Sequence, residues 1–243
     1  MSKKEGYAHP EMLAETEWLG EHLDDPELRI VDMGPADGYK RAHIKNAINF
    51  PREYFKDPKN QLHVTPPKQF ATMMGSVGIG NDNRVVAYDE WGGLYAARLW
   101  WVLNLYGHTK VQVLNGGFTK WLKEGRAAVA GSVASYYLTL PEPSYPKATF
   151  VPKINPDIYS SCDYLKEHCN KPDVVTVDVR SDGEYCGTNP RHNKRPGHLP
   201  GTVHIEWMNC VTPDELRVFK PPGELLQMFQ EAGVTRDKEV ITY

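Results

Sequence analysis

Apolar and polar residues alternate along this chain with two different periods. From Glu11 to Leu23, Met12, Trp18, Leu19 and Leu23 fall near helical spacing. Leu28 to Met33 predicts a short buried strand closing on Asp32. Thr65-Pro66 predicts a helix start, with a cap hydroxyl followed by proline in the first turn. Phe70, Met73, Met74 and Val77 then recur at i, i+3, i+4 and i+7, an amphipathic stripe. Arg84 to Asp89 predicts a second strand, and Leu94 to Tyr106 a strongly apolar helix containing Trp100 and Trp101. Val111 to Leu114 predicts a third strand, ending in Asn115-Gly116-Gly117 before a last helix around Phe118, Trp121 and Leu122. Strands alternating with helices imply an α/β fold with a mainly parallel sheet covered on both faces. In such sheets, sites form beyond the carboxyl ends of strands. Asp89 is at one such end.

The pattern occurs twice. Trp18-Leu19, Pro26, Val31-Asp32 and Tyr39 return as Tyr164-Leu165, Pro172, Val177-Asp178 and Tyr185, each shifted by 146 (178 − 32). His43, Phe70, Met74, Gly78 and Tyr88 return as His198, Leu225, Phe229, Gly233 and Tyr243, each shifted by 155 (243 − 88). An insertion of nine residues (155 − 146) between Tyr185 and His198 accounts for the change of register. Two modules, each a mainly parallel sheet flanked by helices, are therefore expected at residues 1–130 and 151–243. Residues 131–150 lack either period and predict a linker wrapped over the surface. The residue opposite Asp89 would be position 244, one past Tyr243. By comparison with the stretch from Asp89 to Gly125, the second module is expected to lack about 37 residues (125 − 88), its C-terminal strand and helices. That would leave a sheet edge and apolar surface open, so a longer protein, or a companion segment from a second chain, is expected to complete it.

Composition changes this picture little. With 40% hydrophobic and 24% charged residues the chain is of globular type, and a net charge of −3 gives no reason to expect nucleic acid or membrane as partner. No apolar run approaches the roughly 20 residues of a membrane span. Met-Ser-Lys-Lys-Glu-Gly has no apolar stretch behind its lysines, so it does not resemble a secretory signal, and the cytoplasm is the expected compartment. Cys162, Cys169, Cys186 and Cys210 fit no zinc spacing; neither a metal nor a cofactor is expected. Cys162 and Cys169 share a helix face and are expected to be small buried thiols, and Cys210 to be core. His43 and His198 occupy the same turn in both modules, which favours structural histidines bonding their own loop. Asp32 and Asp178 end strands and are expected to accept hydrogen bonds from turn N–H groups.

Val177-Asp178-Val179-Arg180-Ser181, then Glu184-Tyr185-Cys186-Gly187, then Arg195-Pro196-Gly197-His198-Leu199-Pro200-Gly201-Thr202 resembles the rhodanese signature of the thiosulfate and mercaptopyruvate sulfurtransferases. The first module repeats it more weakly as Asp32, Tyr39, Arg41-Ala42-His43-Ile44 and Ala47. Trp100-Trp101, Gly107-His108 and Leu114-Asn115-Gly116-Gly117-Phe118 to Trp121 are similar to the first domain of tandem members.

The resemblance implies two rhodanese domains, of which only the second carries a nucleophilic cysteine, at a position immediately after Tyr243. That cysteine would take the outer sulfur of a small anionic donor as a persulfide and pass it to a thiophilic acceptor. A loop between strand end and helix start aims N–H groups at one point, which favours thiolate and anionic sulfur. Asp89, the first-module counterpart, cannot carry sulfur; Asp89-Glu90-Trp91-Gly92-Gly93 fills the matching loop or makes a plain turn, the preferred reading. No cysteine present takes over the role: Cys186 replaces a residue that only flanks the site in relatives. Arg191, His192, Lys194 and Arg195 form either a solvated charged loop or a segment binding the donor's oxyanion, with Arg191 the first candidate and Arg195 the second. Glu184 stands where some relatives place an arginine, and Asp178 could brace the catalytic loop. Gly6-Tyr7-Ala8-His9-Pro10 and the Glu-Tyr form of the second signature are more similar to the thiosulfate group. Two other readings are a non-catalytic rhodanese-type binding or regulatory protein and a phosphatase of the dual-specificity kind; the duplication argues against the phosphatase.

Overall fold

The computed structural model describes residues 6–50, 55–60, 63–130, 145–191 and 193–243. They fall into two compact units, Met1–Ile158 with Glu215–Val218, and Tyr159–Asp214 with Phe219–Tyr243.

In the first unit the described strands are β1 (Leu13–Ala14), β2 (Leu28–Asp32), β3 (Ala47–Asn49), β4 (Arg84–Tyr88) and β5 (Val111–Leu114), in the order β1-β5-β4-β2-β3. Each neighbouring pair is parallel. Parallel neighbours need crossovers, supplied by α1 (Thr16–Glu21), α2 (Ala36–Arg41), α3 (Pro67–Ser76) and α4 (Leu94–Leu105), while α5 (Gly117–Lys123) follows the last strand. Every residue of β2 is buried, as a strand covered on both faces requires. The stripe of α3 is core: Phe70, Met73, Met74 and Val77 are buried, and Phe70 packs on Phe55, Tyr106 and Phe150.

Two local expectations fail. Leu13–Ala14 is a strand paired with β5, not part of a helix, and Pro10–Met12 before it is a 3-10 turn. Pairing with Val113 and Leu114 overrides the helical spacing of Met12 and Trp18. Thr65 does not cap α3: its hydroxyl donates to the Lys56 carbonyl at 3.1 Å. The helix starts behind Pro66 and Pro67 instead, which bring no N–H groups that would need a cap. Of the expected linker, 131–144 lies outside the described residues. Its described end follows the first unit, with the Ala148 N–H donating to the Gly75 carbonyl at 2.9 Å and Phe150 buried.

The second unit repeats the plan with β6 (Val174–Asp178), β7 (Val203–His204) and β8 (Glu239–Thr242) in the order β7-β6-β8, again parallel. Its helices are α6 (Cys162–His168), α7 (Asp182–Cys186) and α8 (Pro222–Glu231). The registers of the two units agree. Asp32 lies opposite Tyr88, and Val177 opposite Thr242, which sets Asp178 level with Tyr243. The N–H of Met33 donates to the Tyr88 carbonyl at 2.9 Å, and that of Val179 to the Tyr243 carbonyl at 3.1 Å.

The units differ in cover. β4 lies between β2 and β5, whereas among the described residues β8 pairs with β6 alone. Val85 in β4 is 0% exposed; its counterpart Val240 in β8 is 44% exposed. Met74 of α3 is buried, while its counterpart Phe229 of α8 is half-buried. The cysteines correct the sequence expectation too. Cys162 and Cys186 are exposed, and Cys169 and Cys210 half-buried, because α6 buries none of its residues and Cys210 ends a 3-10 turn, not a strand. Among the described residues no helix is long and apolar enough to cross a membrane.

The turn after β5 depends on glycine. Gly117 has φ +54°, and a Cβ there would meet the Asp89 carbonyl oxygen at 2.1 Å. Gly125 has φ +70° with nothing within 4 Å of that point. Gly125→Ala should cost about 1–2 kcal/mol from left-handed backbone strain alone. Gly117→Ala adds a backbone clash and should cost more than about 3 kcal/mol. Urea denaturation of the two variants side by side checks the order; equal losses would refute it.

Candidate functional site

Both units fasten the loop after the strand-end aspartate in the same way. In the first, His43 stacks on Tyr39 at 3.8 Å and its Nδ1–H donates to the Tyr39 carbonyl at 2.8 Å. In the second, His198 stacks on Tyr185 at 3.8 Å and donates to the Tyr185 carbonyl at 2.9 Å. Each histidine thus holds its own loop. The next residue then reaches the strand-end tyrosine: the Ile44 N–H donates to the Tyr88 hydroxyl at 3.1 Å, and that of Leu199 to the Tyr243 hydroxyl at 3.0 Å.

The two strand-end aspartates have opposite surroundings. Asp32 is buried and accepts the Gly34 N–H at 2.7 Å. Burial pushes its carboxyl up to about 6, against the lowering effect of hydrogen bonds from Tyr88 and Gly34; the nearby Glu90 and Asp89 add to the rise. Asp178 is equally buried, yet its carboxyl lies below the usual range. Burial raises it there too, but is outweighed by hydrogen bonds from the Arg180 side chain, the Arg180 N–H and Tyr243. The guanidinium grips Asp178 in two-pronged fashion, Nε to Oδ1 at 2.9 Å and Nη2 to Oδ2 at 2.5 Å. It also donates to the Gly197 carbonyl at 3.0 Å and lies over the Tyr243 ring at 5.3 Å. The matching first-unit position (180 − 146) is Gly34, which has no side chain to do this. Arg180 was not singled out from sequence as a site residue. The break in the repeat, Gly34 against Arg180, is the signal that marks it.

His204 is a second addition. It stacks on Tyr185 at 4.2 Å, so the phenol ring contacts both His198 and His204, and its Nε2–H donates to the Arg180 carbonyl at 2.9 Å. Asn49 holds the same place in the first unit, donating to the Gly34 carbonyl at 2.9 Å.

Asp89 is buried at the end of β4, with its carboxylate turned back into its own loop. Oδ1 accepts the N–H groups of Trp91 at 2.8 Å and Gly93 at 2.9 Å; Oδ2 accepts those of Tyr95 at 2.7 Å and Ala96 at 2.9 Å. The loop has anion-holding geometry, and the side chain at its head is the anion.

In the inserted loop the structure brings Arg191 to Glu184, Nη2 to Oε2 at 3.1 Å. Glu184 is buried, and its carboxylate accepts a hydrogen bond from the Ser181 hydroxyl at 2.8 Å. Arg195 is exposed farther along the loop, and His192 lies outside the described residues. Among the described residues no cluster of His, Cys, Asp and Glu has the geometry to hold a metal ion.

Known proteins share this architecture. The rhodanese-like domain family model matches residues 15–124 and 161–243. The chain is 35% identical over 252 residues to the sulfur carrier protein TtuD of Thermus thermophilus, covering 98% of this chain and 84% of the relative. It is 34% identical over 248 residues to thiosulfate sulfurtransferase of Bos taurus, covering 94% and 80%. The crystal structure of SseA, a 3-mercaptopyruvate sulfotransferase from Escherichia coli, matches with a TM-score of 0.80 and 25% identity, covering 95% of this chain and 87% of that one.

The two aspartates should titrate on opposite sides of the ordinary value. In carboxyl-carbon NMR titration, Asp32 should show a midpoint near 6, and Asp178 one below 3.8. The linkage signs follow. Asp32 holds its proton longer when folded, so its contribution falls by up to about 3 kcal/mol as pH rises from about 4 to 6. Asp178 stabilises the fold above the ordinary carboxylate range, and that contribution is lost as pH falls through its lowered value. Coincident midpoints would refute the contrast.

Proposed function

The chain belongs to the tandem rhodanese sulfurtransferase family, and on that premise we propose that it moves sulfane sulfur from a small anionic donor to a thiophilic acceptor. Thiosulfate is favoured over 3-mercaptopyruvate. The sulfur carrier is a cysteine at the position after Tyr243. Its thiolate attacks the outer sulfur of thiosulfate; the donor's S–S bond breaks, sulfite leaves with the electron pair, and a persulfide remains. The acceptor thiolate, or cyanide, then takes the terminal sulfur and the cysteine thiolate leaves.

One observation carries this reading: Tyr243 ends β8 in the same register as Tyr88 ends β4. The next residue of the second unit therefore enters the turn that Asp89 heads in the first. Around that strand end stand Asp178 and Arg180, an ion pair suited to fixing the loop. The donor's oxyanion goes to Arg191, with Arg195 as the second candidate, because a guanidinium offers a planar fork of N–H donors. Asp178, Glu184 and His198 are supporting residues, and the first unit carries no sulfur, its loop being satisfied by Asp89. A helix–strand–helix segment like α4–β5–α5 completes the second sheet along β8; the open face at Val240 supports this.

In a cyanide assay with thiosulfate, the 243-residue chain should form no thiocyanate above background. The protein extended through the proposed cysteine and completing segment should turn over, and serine in place of that cysteine should abolish it. Clear turnover by the shorter chain would overturn the placement of the nucleophile. In the active protein Arg191→Ala should raise the thiosulfate KM about tenfold or more, the effect of one lost charged hydrogen bond. An unchanged KM would remove Arg191 from the donor site.

A further inference from the structure

The pairing of a buried glutamate with an exposed arginine in the inserted loop is unlike the Asp178–Arg180 pair of the same unit. Asp178 holds Arg180 through two nitrogens, and that arginine side chain is 22% exposed. Glu184 touches Arg191 through Nη2 at 3.1 Å, and the Arg191 side chain is 63% exposed. A carboxylate that sequestered the guanidinium would take both arms of its fork. This one takes a single edge, and a guanidinium has five N–H donors.

We propose that Glu184 is a positioning residue for the anionic donor: it holds Arg191 by one edge so that the donor meets a fixed, outward-facing guanidinium. The inference rests on the reading of Arg191 as the oxyanion site. Several features of the loop serve it. Glu184 lies in α7, where its N–H and its carboxylate both bond Ser181, the residue preceding the helix, so its own place is firm. Asn189 donates its N–H to the Gly183 carbonyl at 2.9 Å and accepts the Arg191 N–H at 3.3 Å, which ties the loop to α7. Arg191 itself has φ +49°, a left-handed backbone that a non-glycine residue adopts only where its surroundings impose it. Neither partner exists in the first unit. The position matching Glu184 (184 − 146) is Gly38, and the inserted segment bearing Arg191 has no counterpart. Glutamate and arginine thus occur together in one unit and are jointly missing from the other.

A long side chain fixed before binding loses less freedom when the ligand arrives. Steady-state kinetics on the active, extended protein, with thiosulfate as donor and cyanide as acceptor, test the idea. Glu184→Gln keeps the size and the Ser181 bond but removes the charge pair. It should raise the thiosulfate KM by roughly three- to tenfold, leave the cyanide KM within about twofold, and leave kcat within about twofold. In an Arg191→Ala background the same change should add nothing further. A thiosulfate KM that is unchanged or lower in Glu184→Gln overturns the proposal, as does an equal effect without Arg191. Should Gln prevent folding, Glu184→Asp keeps the charge with a shorter reach, and a thiosulfate KM that fails to rise is equally fatal. If Arg191→Ala raises the KM and Glu184→Gln does not, only the positioning role falls. If Arg191→Ala has no effect, the oxyanion assignment falls with it.

Discussion

A parallel pair of strands, closed at its carboxyl end by an aspartate level with a tyrosine, is the frame on which the matching loops of both units are fastened. β2 with β4 and β6 with β8 share this register, and in each unit the tyrosine hydroxyl receives a backbone N–H from the loop that a stacked histidine fastens. A slip of one residue would turn Asp178 and Tyr243 to opposite faces of the sheet. The loop bonds at Leu199, Tyr185 and Arg180 all depend on that alignment.

On this shared frame the two units solve one electrostatic problem differently. A carboxyl group at a buried strand end either binds its proton more tightly than usual or acquires a cation. The first unit takes the former course, with Gly34 supplying only an N–H. The second supplies Arg180, whose guanidinium spans Asp178, the Gly197 carbonyl and the Tyr243 ring. That pair places a cation beside the end of β8 and leaves the matching place in the first unit without one. Arg180, two places after the aspartate, is thus one of the points at which the repeat is broken, beside the inserted loop of the second unit.

Much of this architecture was legible in the residues. The stripe of Phe70, Met73, Met74 and Val77 is core because helical spacing and burial coincide there. The twofold recurrence of Tyr, His and Asp gave the register, since a parallel sheet preserves the spacing of its crossovers. What escaped was decided by distant parts of the chain. Leu13 is a strand because Val113 lies opposite it. Thr65 gives its hydroxyl to Lys56 across a loop rather than to the helix that follows it. Cys162 opens a short helix and Cys169 caps its end, but that helix buries none of its residues. In the candidate site, the pairing of Glu184 with Arg191 crosses an insertion whose path no periodicity describes, and Arg180 was hidden inside a motif noted only as a whole.

Asp89 shows how a duplicated module can be free of its ligand. A ring of amide hydrogens at a strand end favours negative charge at its centre, and a carboxylate is a charge the polypeptide can carry permanently. A loop stabilised in this way keeps one shape whether substrate is plentiful or exhausted. A loop whose central charge comes and goes with its cargo is instead coupled to supply, since whatever binds the folded form strengthens it. Within one polypeptide, the first unit is thus the half whose loop is filled by a side chain of its own.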